Sequence, residues 1–225
     1  MDMPTVYALQ LAFTKRQLGH ALFYPDHTDA VVPDIGSIGF VSHGQWVEVD
    51  RWDDPKVSSH IQKLPFRASD PIISTSIRRL EVSSETSIGM PIQLGGSFQY
   101  TCSTESGAVL VLGDDADQFN ALNIDDFRKI MSEQYCTWLN KANGKENSYR
   151  IKLHDLILVT GCDKTSLWAN AAFQDGSSEF SISVNAGAPG IVNGSFSAAI
   201  KDSGMGRSIQ KNWGPSTRQV LNFII

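Results

Sequence analysis

Two periods of apolar spacing run along this chain and divide it into helical and extended stretches. Ile124, Phe127, Ile130, Met131, Tyr135, Trp138, Leu139 and Ala142 recur at i, i+3, i+4, i+7 spacing, which predicts an amphipathic helix. Asp125 and Asp126 suit its positive N-terminal end, Lys141 suits its C-terminal end, and Asn143-Gly144 supplies the stop. A stripe of this kind predicts core packing. A shorter helix is predicted from Tyr7 to Leu18, on Tyr7, Ala8, Leu11, Ala12 and Leu18, with Gly19 to end it.

Period two appears where serine concentrates. Of 25 serines, nine lie between Ser69 and Ser106 and eight between Ser177 and Ser208, so two windows hold most of them. In the first, Leu80 and Val82 alternate with Arg79, Glu81 and Ser83, and Phe98, Tyr100 and Cys102 alternate with Ser97, Gln99 and Thr101. In the second, Phe180, Ile182 and Val184 alternate with Ser181 and Ser183. These patterns predict half-buried strands, separated by turns at Gly95-Gly96 and Gly187 to Gly190. A serine-faced strand has two readings: a solvated sheet face, or a membrane strand with lipid on one side and a wet lumen on the other.

Ala108 to Leu112 and Leu156 to Val159 are continuous apolar runs, the pattern of strands buried on both faces. Ala21 to Tyr24, Gly36 to Val41 and Gln45 to Val49 suggest a strand, a loop and a hairpin, and Val220 to Ile225 a final strand; Val57 to Asp70 reads as irregular. The order implies one α+β domain over residues 1–225: a twisted, largely antiparallel central sheet with flanking helices and two extended hairpin regions.

Composition then removes several classes of function. The apolar share of 41% with eighteen glycines is that of a globular protein, and no apolar stretch is long enough for a spanning helix. With no positive stretch at the start, a cytosolic chain is expected. The net charge of −5 argues against nucleic-acid binding. Cys102, Cys136 and Cys162 lack metal-ligand spacing and read as reduced, mostly buried thiols. His20, His27, His43, His60 and His154 show no paired spacing, so neither a metal nor a cofactor is expected. Leu156 to Ser166 superficially suggests a phosphate-binding loop, but the two glycine positions that loop requires hold Leu158 and Asp163; Asp163 to Thr165 reads as a tight turn. No nucleophile elbow is present, so no catalytic residue is nominated.

On these segments the chain resembles the pore-forming N-terminal domain of gasdermins, in particular the short fungal and bacterial members. The resemblance is carried by Tyr7 to Leu18 followed by Ala21 to Tyr24, by the strand Leu156 to Gly161, by the hairpin region Ser178 to Ile200 and by the close Thr217 to Ile225. It implies a cytoplasmic protein that binds acidic phospholipid at the plasma membrane, inserts two hairpins and closes a homo-oligomeric ring, leading to cell death or defence. Restraint by a short tail or a related partner chain is also implied. Carried over by position, Lys15 and Arg16 meet lipid, with Arg78 and Arg79 or Lys201 to Arg218 adding charge. Ile72 to Cys102 forms the first inserting hairpin and Leu167 to Ile200 the second. Leu80, Val82, Phe98, Tyr100, Phe180, Ile182, Val184 and Phe196 are then the membrane-facing residues.

Blander readings stand beside this one. Lys15 and Arg16 compensate the dipole of the first helix equally well. The alternative function is a soluble β-rich module that recognises a glycan or a protein, with exposed Trp46, Trp52, Trp168 and Trp213 stacking on a sugar face.

Overall fold

The computed structural model describes residues 1–12, 19–25, 31–55, 60–66, 72–79, 96–102, 106–112, 116–144, 149–174, 178–185, 197–202 and 208–224. The chain opens with helix α1 (Met3–Ala12), four residues earlier than the periodicity predicts. Asp2 is the reason. Its carboxylate accepts a hydrogen bond from the Thr5 amide (3.1 Å) and its carbonyl one from the Val6 amide (3.1 Å), and Pro4 in the first turn needs no amide partner. Residues 13–18, where the helix was expected to end, lie outside the described residues.

Strand β1 (His20–Ala21) follows, then a hairpin of β2 (Ser37–Ser42) and β3 (Gln45–Arg51). His43 and Gly44 close it, both with positive φ (49° and 80°), the two-residue turn whose twist matches its flanking strands. Gly39 in β2 lies against β3 so closely that an added Cβ would come 2.6 Å from the Trp46 ring and strike the Val47 carbonyl oxygen.

The next strands are β4 (Ile61–Phe66), β5 (Ile72–Ile73), β6 (Ile77–Arg79), β7 (Gly96–Cys102), β8 (Ser106–Leu112) and β9 (Ala116–Ala121). Helix α2 (Ile124–Asn143) then crosses over to the short β10 (Ile157–Leu158). The last four strands are β11 (Gly161–Gln174), β12 (Ser178–Asn185), β13 (Ser197–Asp202) and β14 (Ser208–Ile224). Among the described residues all pairings are antiparallel, in a seven-stranded sheet, a four-stranded sheet and a three-stranded sheet of β10, β2 and β3. The fold is α+β.

The core lies where α1 packs on the seven-stranded sheet. Met3, Val6, Tyr7 and Leu11 meet Phe23, Leu110, Leu112, Trp168 and Ala172, and the edge-on contact of Tyr7 with Phe23 (centroids 5.1 Å apart) anchors the helix. β8 is buried along nearly its whole length, as its continuous apolar run requires. In a second buried cluster Phe127 of α2 packs edge-on against Trp52 (5.0 Å).

Four expectations are corrected. The stretch Leu156 to Val159 is not a strand buried on both faces: only Ile157 and Leu158 form β10, both half-buried, before the chain changes sheets and enters β11. Asp163 to Thr165 is not a turn but lies inside β11, where burial of Asp163 and Thr165 hides the strand from a hydrophobicity pattern. Residues 61–66 are not irregular; they form β4, an edge strand whose exposed Ile61 to Pro65 give it no apolar face. Finally, Cys136 is exposed on α2 where a buried thiol was expected, while Cys162 is buried as expected and the side chain of Cys102 lies outside the described residues.

Candidate membrane-inserting sheet

The strands pair in one register that runs through two sheets. β11 faces β8 from Trp168 opposite Leu112 to Gln174 opposite Ser106. Four residues further on each strand, Ser178 lies opposite Cys102, and β12 follows β7 to Val184 opposite Gly96. The same holds on the other flank: Gln174 lies opposite Ser208 and Phe180 opposite Asp202, with no change of offset. β7 with β8, β12 with β11, and β13 with β14 therefore keep one offset from the four-stranded sheet to the seven-stranded sheet. Strands from the two serine-rich windows are thus neighbours in the four-stranded sheet, ordered β13-β12-β7-β6.

Parity sorts that sheet. Residues opposite one another share a face, and alternate residues change face. Phe98, Tyr100 and Cys102 of β7 fall on one face with Phe180, Ile182 and Val184 of β12 and with Ala198 and Ile200 of β13. The opposite face takes Ser97, Gln99 and Thr101, then Glu179, Ser181 and Ser183, then Ser197 and Lys201. Among the described residues the main contacts of these strands are with one another.

Five of the nominated membrane-facing residues, Phe98, Tyr100, Phe180, Ile182 and Val184, are thus brought onto one face. Leu80, Val82 and Phe196 lie outside the described residues, as do the lipid-contact candidates Lys15 and Arg16. Arg78 and Arg79 do not form a two-charge patch: as successive residues of β6, opposite Thr101 and Tyr100, they fall on opposite faces. Ala198 and Ile200 were missed because Ala198-Ala199-Ile200 has too little contrast to show alternation.

At the root of the sheet a polar cluster ties α1 to the hairpins. Gln10 Nε2 donates to Ser106 Oγ (3.0 Å) and its Oε1 accepts from Ser76 Oγ (3.1 Å); Ser74 and Ser76 hydroxyls lie 2.6 Å apart, and the Ala108 amide donates to Ser74 Oγ (3.1 Å). The turn Ser74–Ser76 also shifts the outer strand. Ile73 lies opposite Val109 but Ile77 opposite Cys102, so β6 sits three residues off the register of β5. The C-terminal end of α1 is therefore placed beside the root of the apolar face, a few residues before Lys15.

Two further features mark the surface. An apolar groove of about 440 Å³ runs beside α2, lined by Ile124, Phe127, Met131, Tyr135, Leu153 and Leu158. The tryptophans do not form a stacking surface: Trp46 and Trp168 are buried, Trp52 is half-buried against Phe127, and the side chain of Trp213 lies outside the described residues. Among the described residues no cluster of His, Cys, Asp or Glu could hold a metal ion, and no helix is long and apolar enough to cross a membrane.

No protein-family model, curated protein or solved structure matches this chain.

Proposed function

We propose that the protein is a gasdermin-like pore former that perforates membranes, binding acidic phospholipid through the region after α1, assembling with copies of itself, and inserting the two hairpins side by side. One observation carries the reading. The serine-rich windows pair into a four-stranded sheet whose register puts apolar residues on one face and Ser, Thr and Gln on the other, the alternation a barrel wall needs between lipid and lumen. The row Arg79, Tyr100, Phe180, Asp202 then marks the water interface, and Phe98, Ile182, Ile200 and Val184 lie deeper. Described strand β12 has eight residues, close to the about 9–11 that a tilted membrane strand requires. In this reading the chain waits in the cytosol and acts at the plasma membrane in cell death or defence.

Dye release from vesicles of phosphatidylcholine with and without phosphatidylserine tests it. Release should need the anionic lipid and fall in Lys15→Glu/Arg16→Glu. Ile182→Lys should abolish it, because a lysine on the lipid face costs about 2–4 kcal/mol near mid-membrane, and Ser183→Lys on the lumen face should keep it. No release under any lipid composition, or equal effects of the two lysines, would refute the pore.

A second reading, a β-rich protein-binding module, draws on the apolar groove beside α2, whose Leu153 is half exposed. Retained binding to a protein partner together with absent dye release would favour it.

A further inference from the structure

β11 changes neighbours part of the way along its length. Over Gly161 to Lys164 it pairs with β9, and from Trp168 to Gln174 with β8, while β14 lines its other side from Cys162 to Gln174. At that branch the pairing with β14 slips twice, between Asp163 and Lys164 and between Thr165 and Leu167. Slips of this kind leave ladder groups unpaired and bend the strand. The branch thus lacks the regular ladder that holds β11 from Leu167 onward.

Asp163 is buried inside this branch, and register sorts what surrounds it. It lies opposite Gln118 of β9, which is opposite Leu64 of β4, and opposite Phe223 of β14, which is opposite Ala21 of β1. Residues opposite one another share a face, so the face of Asp163 carries Gln118, Leu64 and Ala21, and Ala21 belongs to the core beneath α1. Charged and titratable groups fall elsewhere. Lys164 lies opposite Asp117 and meets Asp34 (3.3 Å), and Lys63 pairs with Asp117 (2.8 Å), all on the other face with Cys162 and Phe119. His20 lies opposite Ile224, itself opposite Cys162, and so joins that face too. In β14, Lys211 lies opposite Ala171, and Arg218 falls in the second slip with no opposite number in β11. Neither α1 nor β8 contains a charged residue, and burial raises the Tyr7 hydroxyl of α1 so that it stays protonated. A protonated carboxyl tolerates such a place far better than a carboxylate, which loses its hydration and gains no counter-charge.

We propose that Asp163 is a pH-sensitive latch: protonated, it lets β11 stay seated between β9 and β14, and ionised, it opens the branch at residues 117–120 and 161–164 ahead of the rest of the sheet. Burial raises the Asp163 carboxyl to about 6, so the stabilisation present in acid is lost as pH rises through that value. His20, held neutral by burial, gains its charge only as pH falls and pulls the other way. Cys162, pushed up to about 12, stays a thiol throughout.

Hydrogen exchange of the free chain tests the latch. After correction for the intrinsic pH dependence of amide exchange, residues 117–120 and 161–164 should lose about tenfold in protection between pH 5 and pH 7.5, the change expected when exposure returns a carboxyl from about 6 to about 4. At pH 7.5 they should also exchange faster than residues 168–174. Asp163→Asn should remove the pH step, and so should Gln118→Lys, which sets a cation opposite Asp163 and serves if the first variant does not fold. No step in the wild-type chain, a step retained by either folded variant, or equal protection of the branch and residues 168–174 at pH 7.5 overturns the latch. No bilayer enters the measurement, so a chain that forms no pore can still show the step, and a pore former without it refutes the latch alone.

Discussion

Asp163 is a carboxylate whose burial works against folding at neutral pH. It is 2% exposed in β11, and among the described residues no hydrogen bond of ordinary length reaches either carboxylate oxygen. Burial pushes its carboxyl up to about 6, with Gln118 opposite it on β9 only partly opposing that rise. A carboxyl raised in the folded state stabilises the fold at pH below its unfolded value and loses that contribution as pH climbs through about 6, amounting to about 3 kcal/mol. His20, held neutral by burial, works in the opposite direction as pH falls. Asp163→Asn should therefore melt higher than wild type at pH 7.5 and alike at pH 4, and thermal melts of the two chains at both values check this. At Gly39 steric contact decides. Gly39→Ala forces a methyl into the Trp46 ring and the Val47 carbonyl, and a loss of about 1–3 kcal/mol in denaturant melts is expected.

Among the elements, α2 shows what periodicity reads well. Its limits match the predicted helix, with both aspartates in the first turn and Gly144 following it. Its stripe is only partly covered, however: Phe127, Trp138 and Ala142 are buried, while Met131 and Tyr135 line the open groove. Trp138→Ala should cost about 3–5 kcal/mol, whereas Met131→Ala at the groove should cost less, both measured by urea unfolding. The hairpin windows were legible because serine and aromatic residues contrast sharply in β7 and β12. β11 was not, since its buried polar residues mask the period: Lys164 is satisfied by Asp34 (3.3 Å) and lies over the Phe119 ring (5.5 Å), contacts that exist only after folding. α1 was shifted for a similar reason, its first turn being set by the Asp2 cap rather than by apolar spacing. That the two windows pair with each other required the register itself.

At the scale of the whole molecule, the Gln10 cluster joins the helix, the outer strand and the long inner strand. Gln10→Leu removes both of its hydrogen bonds to Ser76 and Ser106, and dye release should then begin at lower protein concentration while the melting temperature falls by a few degrees. Unchanged release with a lowered melting temperature would assign the cluster to stability alone. The long strands also impose an order of events. Strands β4 and β9 pair with each other early in the chain, yet the inner margin of β7 and β8 has its partners only in residues 168–174 and 178–184. On the ribosome, at about 5–20 residues per second, that margin waits roughly 3–13 s for its mate to be made. A nascent chain halted after α2 would carry an unmatched ribbon of alternating apolar residues, a natural client for chaperones and a seed for aggregates. Synthesis speed through α2 thus sets how long that ribbon stays unmatched.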